Sequence, residues 1–293
     1  MIRRSAFLIL LLSSCAGNPS GLPEVARVVQ PGAAATRQGP LHVGEVRKED
    51  SFLKGPVATM SVRRMGIQSD SGKGEAEVVL GTSRYDVTGR LLSRDSDDPD
   101  SVQERYVYED GRLTRAVLEG VSKEDFSYDS ATGNLTESVM FLPFPGATIR
   151  TVYTPTPNGF IADAKADVEG HSGRTYCLQD RVGRSVQCAV MISAITRKSE
   201  FVYSGEAVEA SSYEDEEMTV TVKNTKAGRE EITYNRAQPP VLVSRRTFAY
   251  QNLDHYGNPK VVLETLEESS QESADLRTTR FREERTYTYH RLK

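Results

Sequence analysis

Three stretches, Tyr85-Asp-Val-Thr-Gly89-Arg-Leu91, Tyr108-Glu-Asp-Gly111-Arg-Leu113 and Tyr128-Asp-Ser-Ala-Thr-Gly133-Asn-Leu135, share one pattern: an aromatic, a polar turn ending in glycine, a polar residue and a leucine. Asp110-Gly111 suits a two-residue primed turn, which needs positive φ at both central residues. Asp86-Val-Thr-Gly-Arg90 suits a type I turn closed by a left-handed glycine, the three-residue hairpin loop. Either turn sets the aromatic opposite the leucine, Tyr85 against Leu91 and Tyr108 against Leu113. Such a cross-strand pair contributes about 0.2–1 kcal/mol. The pairing survives changes of loop length, so the pattern reads as a repeat of hairpins rather than as one hairpin.

Working outward, glycines recur about every 22–29 residues, a spacing that marks an internal repeat. Gly89, Gly111, Gly133, Gly159, Gly183, Gly205 and Gly257 are the expected turn residues, and Gly228 falls in the same series. The later units are degenerate: Tyr153–Gly159 has a Pro-rich turn, Gln179–Arg184 lacks the aromatic, and Tyr203-Ser-Gly205 fits a turn with glycine first. Period-two alternation appears at Arg105–Tyr108, Met218–Val222, Phe248–Tyr250 and Arg285–Tyr289, and no window of helical period competes with it. The expected fold is all-β, an antiparallel meander of repeated hairpins forming a curved, twisted sheet, open or partly closed.

At Tyr85–Leu91 and Tyr128–Thr136 the chain resembles the YD, or RHS, repeats of bacterial surface and secreted proteins. The likeness recurs near Leu253–Pro259 and at Tyr287-Thr-Tyr289. Large members of that family spiral many repeats into a shell around a toxin domain. This chain has too few units for a shell, and the resemblance implies a small repeat lipoprotein with no catalytic residues.

The N-terminus supplies the address. Met1-Ile2-Arg3-Arg4 is a positive n-region and Ala6–Leu12 an apolar run too short to span a bilayer, so residues 1–14 read as a removable export signal. Leu12-Ser-Ser-Cys15 resembles the lipobox of bacterial lipoproteins, which implies lipidation of Cys15 and a membrane partner through that anchor. Ala16 after it resembles lipoproteins sorted to the outer membrane. Residues 15–50, with Pro19, Pro23, Pro31 and Pro40, read as a lipidated N-terminus and flexible, disordered tether, and the body runs over 51–293.

Composition narrows the functions. The 293 residues carry 37 Lys and Arg against 41 Asp and Glu, which argues against a nucleic-acid partner. His42, His171, His255 and His290 are isolated, and no nucleophile elbow or phosphate loop is present. Asp95–Asp100 has Pro99 and Asp100 where a calcium loop needs other residues, so it reads as a solvated acidic loop, as do Glu214–Glu217 and Glu267–Glu272. Arg277, Arg280, Arg282, Arg285 and Arg291 are diluted by acids and read as an outward strand face. No metal or other cofactor is expected.

Cys177 and Cys188 are expected to form a disulfide. A two-residue turn at Val182-Gly183 would set them opposite, whereas an Asp180–Arg184 loop would pair Tyr176 with Cys188; the former is expected. The functional expectation is a non-enzymatic envelope lipoprotein whose Tyr-rich sheet is an interaction or scaffold module for glycans or envelope proteins. A carrier of lipid or another apolar ligand on a concave face is the alternative, and an envelope hydrolase stands behind both.

Overall fold

The computed structural model describes residues 53–69, 78–98, 101–143, 146–168, 172–181, 183–192, 195–204, 207–215, 217–225, 227–235, 241–269 and 276–291. The export signal, Cys15, the tether and Gly205 lie outside these residues. Eighteen strands account for most of the described chain. The first nine are β1 Val57–Ser69, β2 Val78–Tyr85, β3 Leu91–Ser96, β4 Glu104–Glu109, β5 Arg112–Leu118, β6 Ser122–Tyr128, β7 Leu135–Leu142, β8 Ala147–Thr156 and β9 Gly159–Ala166. The others are β10 Ser172–Gln179, β11 Ser185–Ile192, β12 Ile195–Ser204, β13 Ala207–Glu214, β14 Met218–Asn224, β15 Gly228–Asn235, β16 Val241–Leu253, β17 Pro259–Ser269 and β18 Leu276–Tyr289.

The expectation of an open or partly closed sheet is overturned. β1 pairs along one side with β2, from Thr59↔Arg84 to Met65↔Val78, and along the other with β18, from Val57↔Tyr289 to Ser69↔Thr279. The antiparallel sheet therefore closes as an 18-stranded barrel. Closure removes the two rows of unpaired N–H and C=O groups that an open sheet would present. A repeat of one hairpin carries no local mark of where its sheet ends, which is why the sequence was silent on this.

Contact density divides the chain into two units. The first contains Asp100–Phe201, with β4 to β11; the second combines Val46–Pro99 with Val202–Lys293. In the first, Met140, Leu142, Ala147, Ile149 and Ala166 form a buried cluster against which Ala164 packs. Their alternation on β7, β8 and β9 assigns one face of each strand to that cluster. In the second, Val57, Tyr85, Leu91, Thr233, Asn258, Pro259 and Val262 are the most deeply buried side chains. A fully buried Leu or Val contributes about 1.5–3 kcal/mol relative to an exposed one.

The repeat has a second element, invisible in the sequence. Just past each of four turns the register slips by one residue, between Arg84 and Tyr85, Val107 and Tyr108, Ser127 and Tyr128, and Leu178 and Gln179. The extra residues are Leu92, Thr114, Thr136 and Val186. Two of them anchor the bulge, Thr114 Oγ1 donating to the Val107 carbonyl at 3.3 Å and Thr136 Oγ1 to that of Ser127 at 3.1 Å. A bulge bends its strand and sharpens the local twist, so its recurrence curls the sheet.

Candidate functional site

Three turns share one hydrogen-bonded frame. In Asp86–Arg90, Asp180–Arg184 and Asp254–Asn258 the first amide donates to the last carbonyl at 2.9 Å, and the glycine amide donates back to the first carbonyl at 3.0 Å. Gly89, Gly183 and Gly257 hold φ of 84°, 85° and 86°, a region that favours glycine. The aspartate locks each turn. Asp86 Oδ1 accepts from the Thr88 and Arg90 amides, and its Oδ2 accepts from Arg90 Nε at 2.6 Å. Asp180 does the same for Arg184. Partial burial works to raise the Asp86 carboxyl, but its bonds from Thr88 and Arg90 outweigh this and hold it below the usual carboxylate range. Gly133 closes a loop one residue longer, and Asp110 and Gly111 both have positive φ in the two-residue turn.

Gly159 is a correction. It opens β9 after a turn at residues 157–158 and has no positive φ. Glycine is required there because a Cβ would lie 1.9 Å from the Cys177 carbonyl oxygen; Gly228 stands in the same relation to Phe248, also at 1.9 Å.

The turn beside the cysteines is likewise corrected: the chain takes the Asp180–Arg184 loop, not a two-residue turn. Cys177 still faces Cys188, because the bulge at Val186 restores the offset that the longer loop introduces. The two sulfurs are bonded, joining β10 to β11 with Cα atoms 4.2 Å apart.

In the second unit, Asn258 ties three distant parts of the chain together. Its Oδ1 accepts from the Lys54 amide at 2.5 Å, and its Nδ2 donates to the Lys54 carbonyl at 2.9 Å and the Tyr289 hydroxyl at 3.1 Å. Asp254 accepts from the Tyr289 hydroxyl and from the amides of Tyr256 and Asn258 at 2.9 and 2.8 Å. Tyr256 lies over Gly55, where a Cβ would be 2.6 Å from the ring. His255, Tyr256 and Tyr289 form an aromatic triad with centroids 4.0 to 5.3 Å apart. Burial pushes the Asp254 carboxyl up, but the bonds from Tyr289, Asn258 and Tyr256 prevail and lower it.

Glu264, 3% exposed, was not singled out in the sequence. It bridges Arg64 of β1 at 2.7 Å and Arg246 of β16 at 3.2 Å, while Arg64 also lies 4.1 Å from the Phe281 ring. Burial raises its carboxyl, the two arginines lower it and Glu283 raises it, and burial prevails. A glutamate within Val261-Val-Leu-Glu-Thr-Leu266 was the available signal, since a charge amid an apolar run needs a buried partner.

The remaining candidates are dispersed. Among the C-terminal arginines, Arg282 is 3.2 Å from Glu284 on an exposed face, Arg285 is 3.0 Å from Glu283 on the opposite one, and Arg277, Arg280 and Arg291 are exposed. Asp97 accepts from the Leu80 amide, and Asp215 from those of Glu217 and Met218. His290 Nε2 is 3.0 Å from the Tyr85 carbonyl oxygen; His42 and His171 lie outside the described residues. Among the described residues no three His, Cys, Asp or Glu side chains are placed to hold a metal. Among the repeat tyrosines, Tyr85 is 2% exposed and the Tyr128 hydroxyl donates to the Leu113 carbonyl.

The exposed strand faces carry charge. In the first unit Arg115 and Lys123 pair with Asp125 at 2.5 and 3.4 Å, Arg150 with Glu137, and Arg174 with Asp163. In the second, Arg245 lies 3.6 Å from Glu230 and Arg63 4.0 Å from Glu284. Each such surface pair contributes about 0–1 kcal/mol.

No protein-family model and no curated protein matches the chain. Among solved structures it is similar to a porin-like protein from Bacteroides uniformis, at 10% identity over 80% of this chain and 99% of that one, with a TM-score of 0.32. It is also similar to TcdB2-TccC3-TEV, at 12% identity and a TM-score of 0.33, covering 74% of this chain but only 14% of that one. A third likeness is to the Dos1 propeller, at 7% identity over 82% and 86% of the two chains, with a TM-score of 0.17.

Proposed function

We propose that the chain is a non-enzymatic cell-envelope lipoprotein, held to the outer membrane by lipid on Cys15, whose closed repeat sheet stands in water as an interaction or scaffold module. The observation that carries this reading is the charge on the exposed strand faces. A strand face turned to lipid is apolar, and an Arg or Lys near the bilayer midplane costs about 2–4 kcal/mol. Arg115, Arg150 and Arg174 in one unit, and Arg63, Arg245 and Arg282 in the other, therefore suit water. Membrane attachment then falls to the lipobox and not to the strands.

A carrier would need an apolar face open to a ligand, whereas Met140, Leu142 and Ile149 are each at most 5% exposed. The scaffold reading is preferred for that reason. Growth with labelled palmitate tests the lipid anchor on which the proposal depends: the wild-type chain should take up label and sediment with outer membranes, and Cys15→Ala should take up none. Label that persists in Cys15→Ala would remove the basis of the proposal.

A further inference from the structure

Within the second unit, the parts joined by Asn258 gather at one end of their strands. Leu53 and Lys54 lead into β1, the Asp86–Arg90 turn follows Tyr85 at the end of β2, the Asp254–Asn258 turn joins β16 to β17, and Tyr289 and His290 close β18. The His290 amide donates to the Pro56 carbonyl at 2.8 Å while its ring reaches Tyr85, so these ends are neighbours. The two turns are shaped by their aspartates and glycines, with Thr88 and Arg90 bonding to Asp86, and the aliphatic side chains of Val87 and Leu253 can add no hydrogen bond to them. Polar residues are the ordinary choice there. Instead Val87 is 66% exposed, Leu253 57% and Tyr256 37%, with His255 beside them.

Charge completes the pattern. Lys54, Lys260 and Arg291 are exposed around these tips, while the carboxylates of Asp86 and Asp254 are occupied inside their turns. Branched apolar tips, an amphipathic ring and flanking cations are the composition of an interfacial lipid contact. In such contacts apolar tips enter the headgroup boundary, an amphipathic ring lies at headgroup level, and cations meet anionic headgroups.

We infer that this end of the second unit seats on the anionic lipid surface of the membrane that holds Cys15. The inference rests on the lipid-anchor reading above. Covalent continuity favours this occupant over a glycan or a protein, because Leu53 continues directly from the segment that carries Cys15. Only 38 positions separate Leu53 from Cys15, so lipid on Cys15 keeps the patch near that surface and a weak contact suffices.

The chain has no tryptophan, so single reporters can be placed without background. Val87→Trp, Leu253→Trp and, as a control on an exposed strand of the first unit, Val152→Trp are introduced singly into the full lipidated protein. Each is reconstituted in phosphatidylethanolamine and phosphatidylglycerol vesicles containing brominated lipid. Emission at 87 and 253 should shift to the blue and be quenched, emission at 152 should do neither, and Lys54→Gln, which removes one positive charge, should weaken the contact about fivefold.

Absence of quenching at 87 and 253 while Cys15 still takes up palmitate overturns the seating and leaves the anchor standing. Should Cys15 take up no palmitate, the same proteins are added to preformed vesicles. Quenching there supports the seating without the anchor, and its absence overturns the seating as well. A blue shift on adding an acidic polysaccharide, with none on vesicles, also overturns it and assigns the patch to a glycan.

Discussion

Replacing Asn258 by alanine is the sharpest test of how the barrel is held shut. The side chain is fully buried and makes bonds to the amide and carbonyl of Lys54, to the Asp254 carboxylate and to the Tyr289 hydroxyl. At about 1 kcal/mol for a net neutral bond, and about 1.5–3 kcal/mol for one to a charge, the four sum to about 5 kcal/mol. Lys54 is exposed, so its backbone regains some water and the expected loss is about 2–4 kcal/mol. For a body of this size that corresponds to a fall in Tm of about 4–16 °C, read by circular dichroism without reductant. Tyr289→Phe should be non-additive with it by about 0.5 kcal/mol or more, because the two side chains share a bond. Asn258→Asp should cost at least as much near neutrality, since it sets a second carboxylate beside Asp254 and cannot donate to Lys54, and it should recover as the pH falls. A melting point for Asn258→Ala within about 2 °C of wild type would falsify the claim that this residue fastens the seam.

The other expectations follow from single contacts. Gly159→Ala should lose more stability in urea than Gly120→Ala, because its Cβ meets the Cys177 carbonyl oxygen whereas Gly120 has open space around it and only its φ of +76° to strain; equal losses would refute the close-approach argument. Cys177→Ser with Cys188→Ser should cost about 2–3 kcal/mol for a bridge spanning 11 residues, and reductant should lower the wild type to the same level. Glu264→Ala should cost about 3 kcal/mol by removing the buried carboxylate that bridges Arg64 and Arg246, and Glu264→Gln less, as measured by the urea midpoint. Asp254 and Asp86 have lowered folded pKa values, so their stabilisation is present above the ordinary carboxylate range near pH 4 and is lost as the pH falls through those lowered values. Asp254→Asn should flatten that acid limb in urea midpoints taken across pH.

Local structure was legible where one residue type answers one backbone demand. Asp110-Gly111, Gly89 and the pairing of Tyr85 with Leu91 follow from turn chemistry that acts over a few residues, and the all-β character follows from alternation. The bulges were not legible, because Leu92, Thr114, Thr136 and Val186 share no side-chain property. The Cys177–Cys188 bond depended on one of them: the expected turn was wrong while the expected pairing formed. Closure was hidden for a different reason, since Lys54 and Asn258 are 204 positions apart and nothing near either names the other. Asn258 stands where the first turn has Arg90, and the asparagine preceding Pro259 was the only local hint of its separate task.

The pairing of β1 with β18 also sets an order of events for the nascent chain. Met60 meets Tyr287 only when almost the whole sequence has been made, and such distant pairing is slow because a large loop must be closed before any contact rewards it. Until then, β1 and whichever strand was formed last each display an edge able to capture another chain. A protein shortened before β18 would carry both edges permanently. Loss of the final fourteen-residue strand should therefore appear as aggregation on expression rather than as a smaller soluble barrel.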